Sequence, residues 1–306
     1  MADSPALTVV VAGASGFLGT HLCTRLKGRG HRVLRLVRRP ANGPEESTWD
    51  PEAGVVDTAL IGAADVVVNL AGAPLLGNVH SKRWAHEVLR SRVATTTTLA
   101  TTVAAVATPP ALLNASGVSW YGDHGPATLT EASDTRGHAL LTRVAREWEA
   151  ATAPAVAAGA RVVLLRTAPV QDRRHPPLRQ QRLQFALGAG GRLGSGRQHM
   201  PLISLRDWVS ATVFLAEHAE ASGPVNLCAP RPPTNAEFTR ALAGLVHRPA
   251  LFAVPAPAVR LAAGPMADEV LGSMDLRPQA LLDLGYEFAD PDVTAVLASG
   301  LAERDA

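Results

Sequence analysis

The sequence predicts an α/β chain built on a doubly wound parallel sheet, and three observations carry that expectation. Short apolar runs rich in valine and leucine alternate with helical stretches along the first 170 residues. The runs lack polar alternation, as strands covered by helices on both faces must. The connections are short, which suits right-handed crossovers. The 306 residues are 47% hydrophobic, and a chain of this size buries roughly three quarters of its unfolded surface. Disorder and a disulfide-stapled miniprotein are excluded.

Leu7 to Ala12 reads as the first buried strand. Gly13, Gly16 and Gly19 follow it, then a helix over Phe17 to Arg29 that Gly30 closes as a C′ residue. His31 to Arg38 reads as the second strand, completing a βαβ unit. Residues 41 to 57 are polar and turn-rich, and Ala64 to Leu70 reads as another buried strand. Trp84 to Val106 reads as a long helix in spite of the threonines at 95 to 98, stopped by Pro109 and Pro110. Ala111 to Ser116 is the next strand, Leu140 to Gly159 a helix, and Arg161 to Thr167 a further strand. Beyond Thr167 the character changes. Gln171 to Arg182 is basic and proline-broken, and Gly188 to Gly196 is glycine-rich. Pro224 to Leu227 reads as a strand, Thr234 to His247 as a helix and Val254 to Pro257 as a rigid turn. The expected division is 1–170 as a cofactor half, with a return segment from about 200–230, and 171–306 mainly as a substrate-side domain.

The formal net charge is +2, too balanced for a nucleic-acid binder. Lys27 and Lys82 are the only lysines, and Tyr121 and Tyr286 the only tyrosines. A mechanism that needs either side chain therefore has two candidates. Cys23 and Cys228 have no metal-site spacing, and no HxxxH or HxH pair occurs among the ten histidines. No metal is expected. The chain shows no signal-peptide pattern at its start and no apolar run long enough to span a bilayer, so a reduced, cytoplasmic protein is expected. A classical serine hydrolase is not expected, because Gly194-Ser195-Gly196 lacks the strand–turn–helix context of a nucleophile elbow.

The spacing Gly13-x-x-Gly16-x-x-Gly19 between a strand and a helix is a dinucleotide fingerprint. The first glycine permits a tight turn, the second lets the backbone approach a pyrophosphate, and the third lets helix and sheet pack closely. The anion then meets free N–H groups at the helix start. This defines a Rossmann unit. The second strand ends Leu36-Val37-Arg38-Arg39 with no acid to hold a ribose 2′-hydroxyl. Arginine suits a 2′-phosphate, so NADP is expected, with Arg38 and Arg39 as its readers and Ser15 adding a hydroxyl. The alternative is that both arginines are solvated strand-end charges.

The GxxGxxG form resembles the extended and atypical short-chain dehydrogenase/reductase superfamily. So do further segments. Asn69 to Gly72 is similar to the post-strand motif, and Trp84 with Arg90 to Val93 is similar to its epimerase-like branch. Trp120 to Asp123, Arg146 to Glu149, Leu164 to Thr167, Leu193 to Gln198, Gly223 to Asn226 and Thr234 to Phe238 follow the same branch. The resemblance implies that Phe17, Leu18, Leu70, Ala71, Gly72, Ala115, Pro169 and Val170 line the cofactor. It also implies the superfamily's chemistry, in which a tyrosine exchanges the proton, a lysine lowers its pKa and a serine orients the carbonyl.

Those positions are altered here. Matching the family glutamate to Glu149 puts the lysine at Ala145 and the tyrosine at Leu141. Counting back from Tyr121 lands on Gly117 at the serine position, with Ser116 one residue away. Ser116 is either the displaced family serine or a strand-end serine bonding backbone. Tyr121 is either a substitute acid or a packed ring. The branch's Trp-Ile-His segment is Leu202-Ile203-Ser204 here, so its histidine is lost. Arg197 is either a substrate contact or a solvated loop residue, and Arg173 to Pro177 reads as a substrate-side loop or a surface loop. Three accounts of the missing acid stand: binding without chemistry, another acid, or a proton supplied by the substrate.

A ketone with a neighbouring phenol carries its own proton donor. The expectation is therefore an NADPH-dependent ketoreductase acting on a polycyclic aromatic polyketide ketone, in natural-product biosynthesis. It accords with a similarity to angucyclinone ketoreductases of the simocyclinone pathway. The alternatives are a nucleotide-sugar epimerase-like enzyme and a non-catalytic NADPH-binding sensor. The expected partner is a small aromatic ketone, with no nucleic acid and no membrane, and the chain is expected to be a monomer or homodimer.

Overall fold

The structure, a computed structural model, describes residues 5–75 and 77–302. The strands of the central sheet are β1 (Thr8–Ala12), β2 (Arg32–Val37), β3 (Glu46–Thr48), β4 (Val66–Asn69), β5 (Ala111–Gly117), β6 (Val162–Thr167) and β7 (Gly223–Leu227). Their order is β7-β6-β5-β4-β1-β2-β3. The pairs β1–β2, β1–β4, β2–β3 and β4–β5 are parallel, with Val10 opposite both Leu34 and Val67. This is the expected doubly wound sheet. Neighbouring strands β1 and β4 flank the point where the winding reverses, which is where ligands enter such sheets.

The helices are α1 (Phe17–Gly28), α2 (Thr58–Gly62), α3 (Lys82–Ala105), α4 (Leu140–Ala150), α5 (Ala153–Ala157), α6 (Leu178–Ala186), α7 (Leu205–Glu217), α8 (Asn235–Leu245), α9 (Ala256–Ala263), α10 (Ala267–Leu271), α11 (Gln279–Asp283) and α12 (Val293–Leu301). Gly30 closes α1 as expected. At φ +85° it donates to Lys27 O while His31 N–H donates to Leu26 O, a Schellman end. The expected helix over 140–159 is instead α4 and α5. Pro154 opens α5 at its first turn and has no N–H to continue α4. The polar stretch 41–57 holds β3, which the sequence pattern missed. The proline-broken segment runs into α6, and in place of the expected turn at 254–257 Val254 ends a short strand paired with Leu193, Pro255 is an N-cap and α9 begins at Ala256.

Two compact units result. The first contains residues through Ser116, Val144–Leu165 and Val209–Pro224. The second contains Gly117–Arg143, Arg166–Trp208 and the chain from Val225. The grouping differs from the expected boundary at residue 170, and the return segment is shorter than expected. Residues after β5 leave the sheet, and Thr128–Leu129 form a parallel ladder with Asp275–Leu276 of the second unit. The first unit's core gathers Val10, Leu34, Trp49, Ile61, Val67, Leu99 and Leu112. The second unit's core gathers Leu178, Phe185, Leu202, Phe238, Leu242 and Leu297. A capping box at Thr234 and Glu237 starts α8.

Among the described residues no helix is long and apolar enough to cross a membrane, and no cluster of His, Cys, Asp or Glu could hold a metal ion.

Candidate functional site

The glycine turn behaves differently at each position. Gly13 has φ +79°, and a Cβ there would lie 2.7 Å from the Leu70 carbonyl. A Cβ on Gly19 would lie 2.2 Å from Gly13 O. Both glycines are therefore needed for the turn to pack against β4 and α1. Gly16 is exposed, and its nearest neighbour to an added Cβ is Gly13 O at 3.3 Å. Gly16 N–H donates to Gly13 O at 3.0 Å, and α1 begins with no side-chain cap and no acid in its first turn. The first N–H groups of a helix lack internal partners, so Phe17, Leu18 and exposed Ser15 frame an anion site. The residues present fit a dinucleotide pyrophosphate.

The arginines at the end of β2 are divided by Glu46, from the unexpected strand β3. Arg39 grips both carboxylate oxygens, at 2.7 and 2.8 Å, and Arg35 lies 3.1 Å from one of them. The Arg39 hydrogen bonds, helped by the Asn42 N–H, lower the Glu46 pKa to about 2. Arg39, expected as a phosphate reader, is held in an ion pair with Glu46. Exposed Arg38 has no hydrogen bond or ion pair among the described residues.

At the end of β4 a buried polar network holds the chain. Asn69 Nδ2 donates to Thr96 Oγ1 at 3.0 Å and to Asn114 Oδ1 at 2.8 Å, and Trp148 Nε1 donates to Thr96 Oγ1 at 2.9 Å. Thr95 Oγ1 donates to Ala71 O, and Arg92 donates to Ala73 O. Arg92 is buried against the Trp148 ring, with Cζ 5.0 Å from its centroid, and desolvation lowers its pKa to about 10. These bonds fix Leu70, Ala71 and exposed Gly72 beside the turn. The threonines that looked unsuited to α3 are its working face. At the end of β5, beyond half-buried Ala115, Ser116 is buried and its Oγ donates to Glu149 Oε1 at 2.6 Å. The proton that would orient a carbonyl is held by that carboxylate, where backbone or a substrate was expected.

In the second unit Tyr121 is fully buried and its hydroxyl donates to Asn226 Oδ1 at 2.8 Å. The Arg166 guanidinium lies over the Trp120 and Tyr121 rings, 3.5 and 4.8 Å from their centroids. Desolvation, opposed by Arg166, pushes the phenol pKa up to about 12. Tyr121 is corrected to a packed ring, since an enclosed phenol bonded to an amide reaches no substrate. Tyr121→Phe should cost about 1–3 kcal/mol, because it strands the buried Asn226 oxygen. The check is a lower denaturant midpoint at unchanged m-value. Exposed Pro169 precedes Val170, which pairs with Ile203 in a two-residue ladder. Arg197 borders a cavity of about 270 Å³ with Asp123, Gln198 and His199. Arg174 of the expected loop pairs with Asp172 at 2.9 Å. A second cavity, of about 340 Å³, is lined by residues that include Ser119, Arg136, His138, Thr142 and Glu269. Leu141, at the family's tyrosine position, donates its N–H to Glu269 Oε1 at 2.8 Å. In the first unit, Ala145 is buried at the lysine position. Glu46 and Glu269 escaped sequence reasoning because no motif marks them, and Arg166, although inside the family-like segment 164–167, was given no role by it.

A doubly wound sheet with this glycine turn at its switch point defines a nucleotide-binding protein of the short-chain dehydrogenase/reductase type. Residues 9–228 match the model of the NAD dependent epimerase/dehydratase family, and 254–299 match a domain of unknown function, DUF1731. The chain belongs to the NAD dependent epimerase/dehydratase family. It is 41% identical over 285 residues to Epimerase family protein Mb2239 of Mycobacterium bovis, covering 92% of this chain and 93% of that protein. It is similar to the crystal structure of human epimerase family protein SDR39U1 with NADPH, at TM-score 0.83 and 30% identity, covering 95% of this chain and 98% of that one. It is also similar to the nucleoside-diphosphate sugar epimerase from Corynebacterium glutamicum, at TM-score 0.79 and 33% identity, covering 97% of this chain and 59% of that one.

Proposed function

We propose that this chain is an NADP(H)-dependent oxidoreductase of the epimerase-like type, acting at a hydroxyl- or carbonyl-bearing carbon of a small molecule. Arg38 carries the reading. It stands at the end of β2 without a partner among the described residues, while Glu46 occupies Arg35 and Arg39. A 2′-phosphate supplies the dianion that such a guanidinium binds through charge-assisted bonds. The glycine turn and the first turn of α1 would hold the pyrophosphate, and the bound nicotinamide would supply or accept hydride. The human relative crystallised with NADPH supports the same cofactor. Arg38→Ala should weaken NADPH by about 1.5–3 kcal/mol, or about 10- to 150-fold, and leave NADH nearly unchanged. Fluorescence titration with both nucleotides decides it; equal losses would place Arg38 away from the phosphate.

Reduction of a polycyclic aromatic ketone is a narrower form of the proposal. Its one support is that Leu141 and Ala145 offer no proton, which a ketone with a neighbouring phenol does not need. The relatives reported above carry epimerase names, so the epimerase-like form is the better matched.

A further inference from the structure

Glu269 lies in α10, inside the segment matched to the domain of unknown function. It borders the 340 Å³ cavity of the second unit. Its Oε1 accepts the Leu141 N–H at 2.8 Å, and its buried Oε2 has no hydrogen-bond partner. The carboxyl is therefore fastened to the backbone of the residue that stands where the superfamily carries its tyrosine. We infer that Glu269 is the proton donor and acceptor for a substrate oxygen in this cavity, replacing the missing phenol.

The assignment rests on the hydride-transfer reading above. In the reducing direction, hydride adds to the carbonyl carbon and the C=O π pair moves onto oxygen. The Glu269 O–H bond breaks as the new substrate O–H forms, leaving a carboxylate that solvent water reprotonates. In the oxidising direction the carboxylate takes the hydroxyl proton as hydride departs. Burial raises the Glu269 pKa above the ordinary carboxylate value, opposed by the Leu141 N–H and reinforced by Asp268. Charged groups facing the same cavity are Asp268 on the same helix, Arg260 on α9, and Asp123, Arg136 and His138 ahead of α4. Among the described residues none of them makes an ion pair with Glu269. A neutral carboxyl is the form that can donate.

Glu269→Gln keeps an oxygen for the Leu141 N–H and removes the proton. Three measurements compare it with wild type: NADPH titration, infrared spectroscopy of the carboxyl C=O stretch against pH, and NADPH-dependent reduction of 9,10-phenanthrenequinone. The expected result is NADPH affinity within about twofold of wild type. Wild type should show protonated-acid absorption that titrates above the ordinary carboxylate range, and the variant should lose the Glu269 share of it, keeping that of Glu131 and Asp207, whose pKa values burial also raises. The variant's kcat should fall about 10²- to 10⁴-fold at little-changed KM, with loss of the matching limb of the pH profile. Its unfolding midpoint at pH 8 should rise. A raised folded-state pKa means stability is lost as pH climbs from the unfolded value through the folded one, and Gln removes that loss. A variant whose protonated-acid absorption matches that of wild type, or that reduces the quinone at the wild-type rate, overturns the assignment. So does a wild type that binds NADPH, shows no such absorption and leaves the quinone untouched. Failure of wild type to bind NADPH overturns the underlying reading instead.

Discussion

Gly16→Val should lose NADPH binding by about 100-fold or more, a loss of about 2.7 kcal/mol or more, while unfolding at nearly the wild-type midpoint. An added Cβ at Gly16 meets only Gly13 O, at 3.3 Å, and otherwise faces solvent. The protein therefore tolerates the side chain, but a pyrophosphate approaching the backbone does not. Gly19→Val is the contrast. Its Cβ would lie 2.2 Å from the Gly13 carbonyl oxygen, so the turn itself must move and stability falls with binding. Fluorescence titration paired with denaturant unfolding separates the two variants. Wild-type affinity in a folded Gly16→Val protein would remove the nucleotide from this turn.

Trp208→Ala should cost about 3–5 kcal/mol, the range for truncating a buried large aromatic. Trp208 sits near the start of α7, fully buried, with Nε1 donating to Thr167 Oγ1 at 3.1 Å. Alanine leaves a cavity and removes the bond to Thr167 Oγ1 together. Trp208→Phe should recover part of the loss by refilling volume without the N–H. Urea midpoints at matched m-values measure both, and a loss below about 1 kcal/mol would show that the surroundings collapse to fill the space.

The elements legible in the sequence are those whose signal is local. A β-branched run, a glycine turn and a terminating glycine specify β1, α1 and its Schellman end without help from distant residues. The strand β3 was hidden because it is three residues long and polar. It exists because Arg35, Leu36 and Val37 supply a ladder and Glu46 supplies ion pairs. The same pairing engages Arg39 and leaves Arg38 without a partner among the described residues, a difference that no reading of Arg38 and Arg39 alone could make. The break before α5 is legible in Pro154, which has no N–H to continue α4. The catalytic side was least legible. Leu141 and Ala145 showed what is absent, but Glu269 reaches Leu141 across 128 residues. Only tertiary structure joins them.

The strand order has a consequence for how the chain is made. Strand β1 emerges from the ribosome first and pairs with β2 early, but its other neighbour, β4, begins 58 residues later, at Val66. The far edge of the sheet is not closed until β7 is complete at Leu227. At about 5–20 residues per second, roughly 10–40 s separate the release of β1 from the release of β7. Throughout that interval β6 or an earlier strand presents unpaired backbone and an apolar face to its surroundings, an invitation to edge-to-edge association. Expression yield should therefore respond to chaperone supply and to slower growth temperature more than to changes on the finished surface.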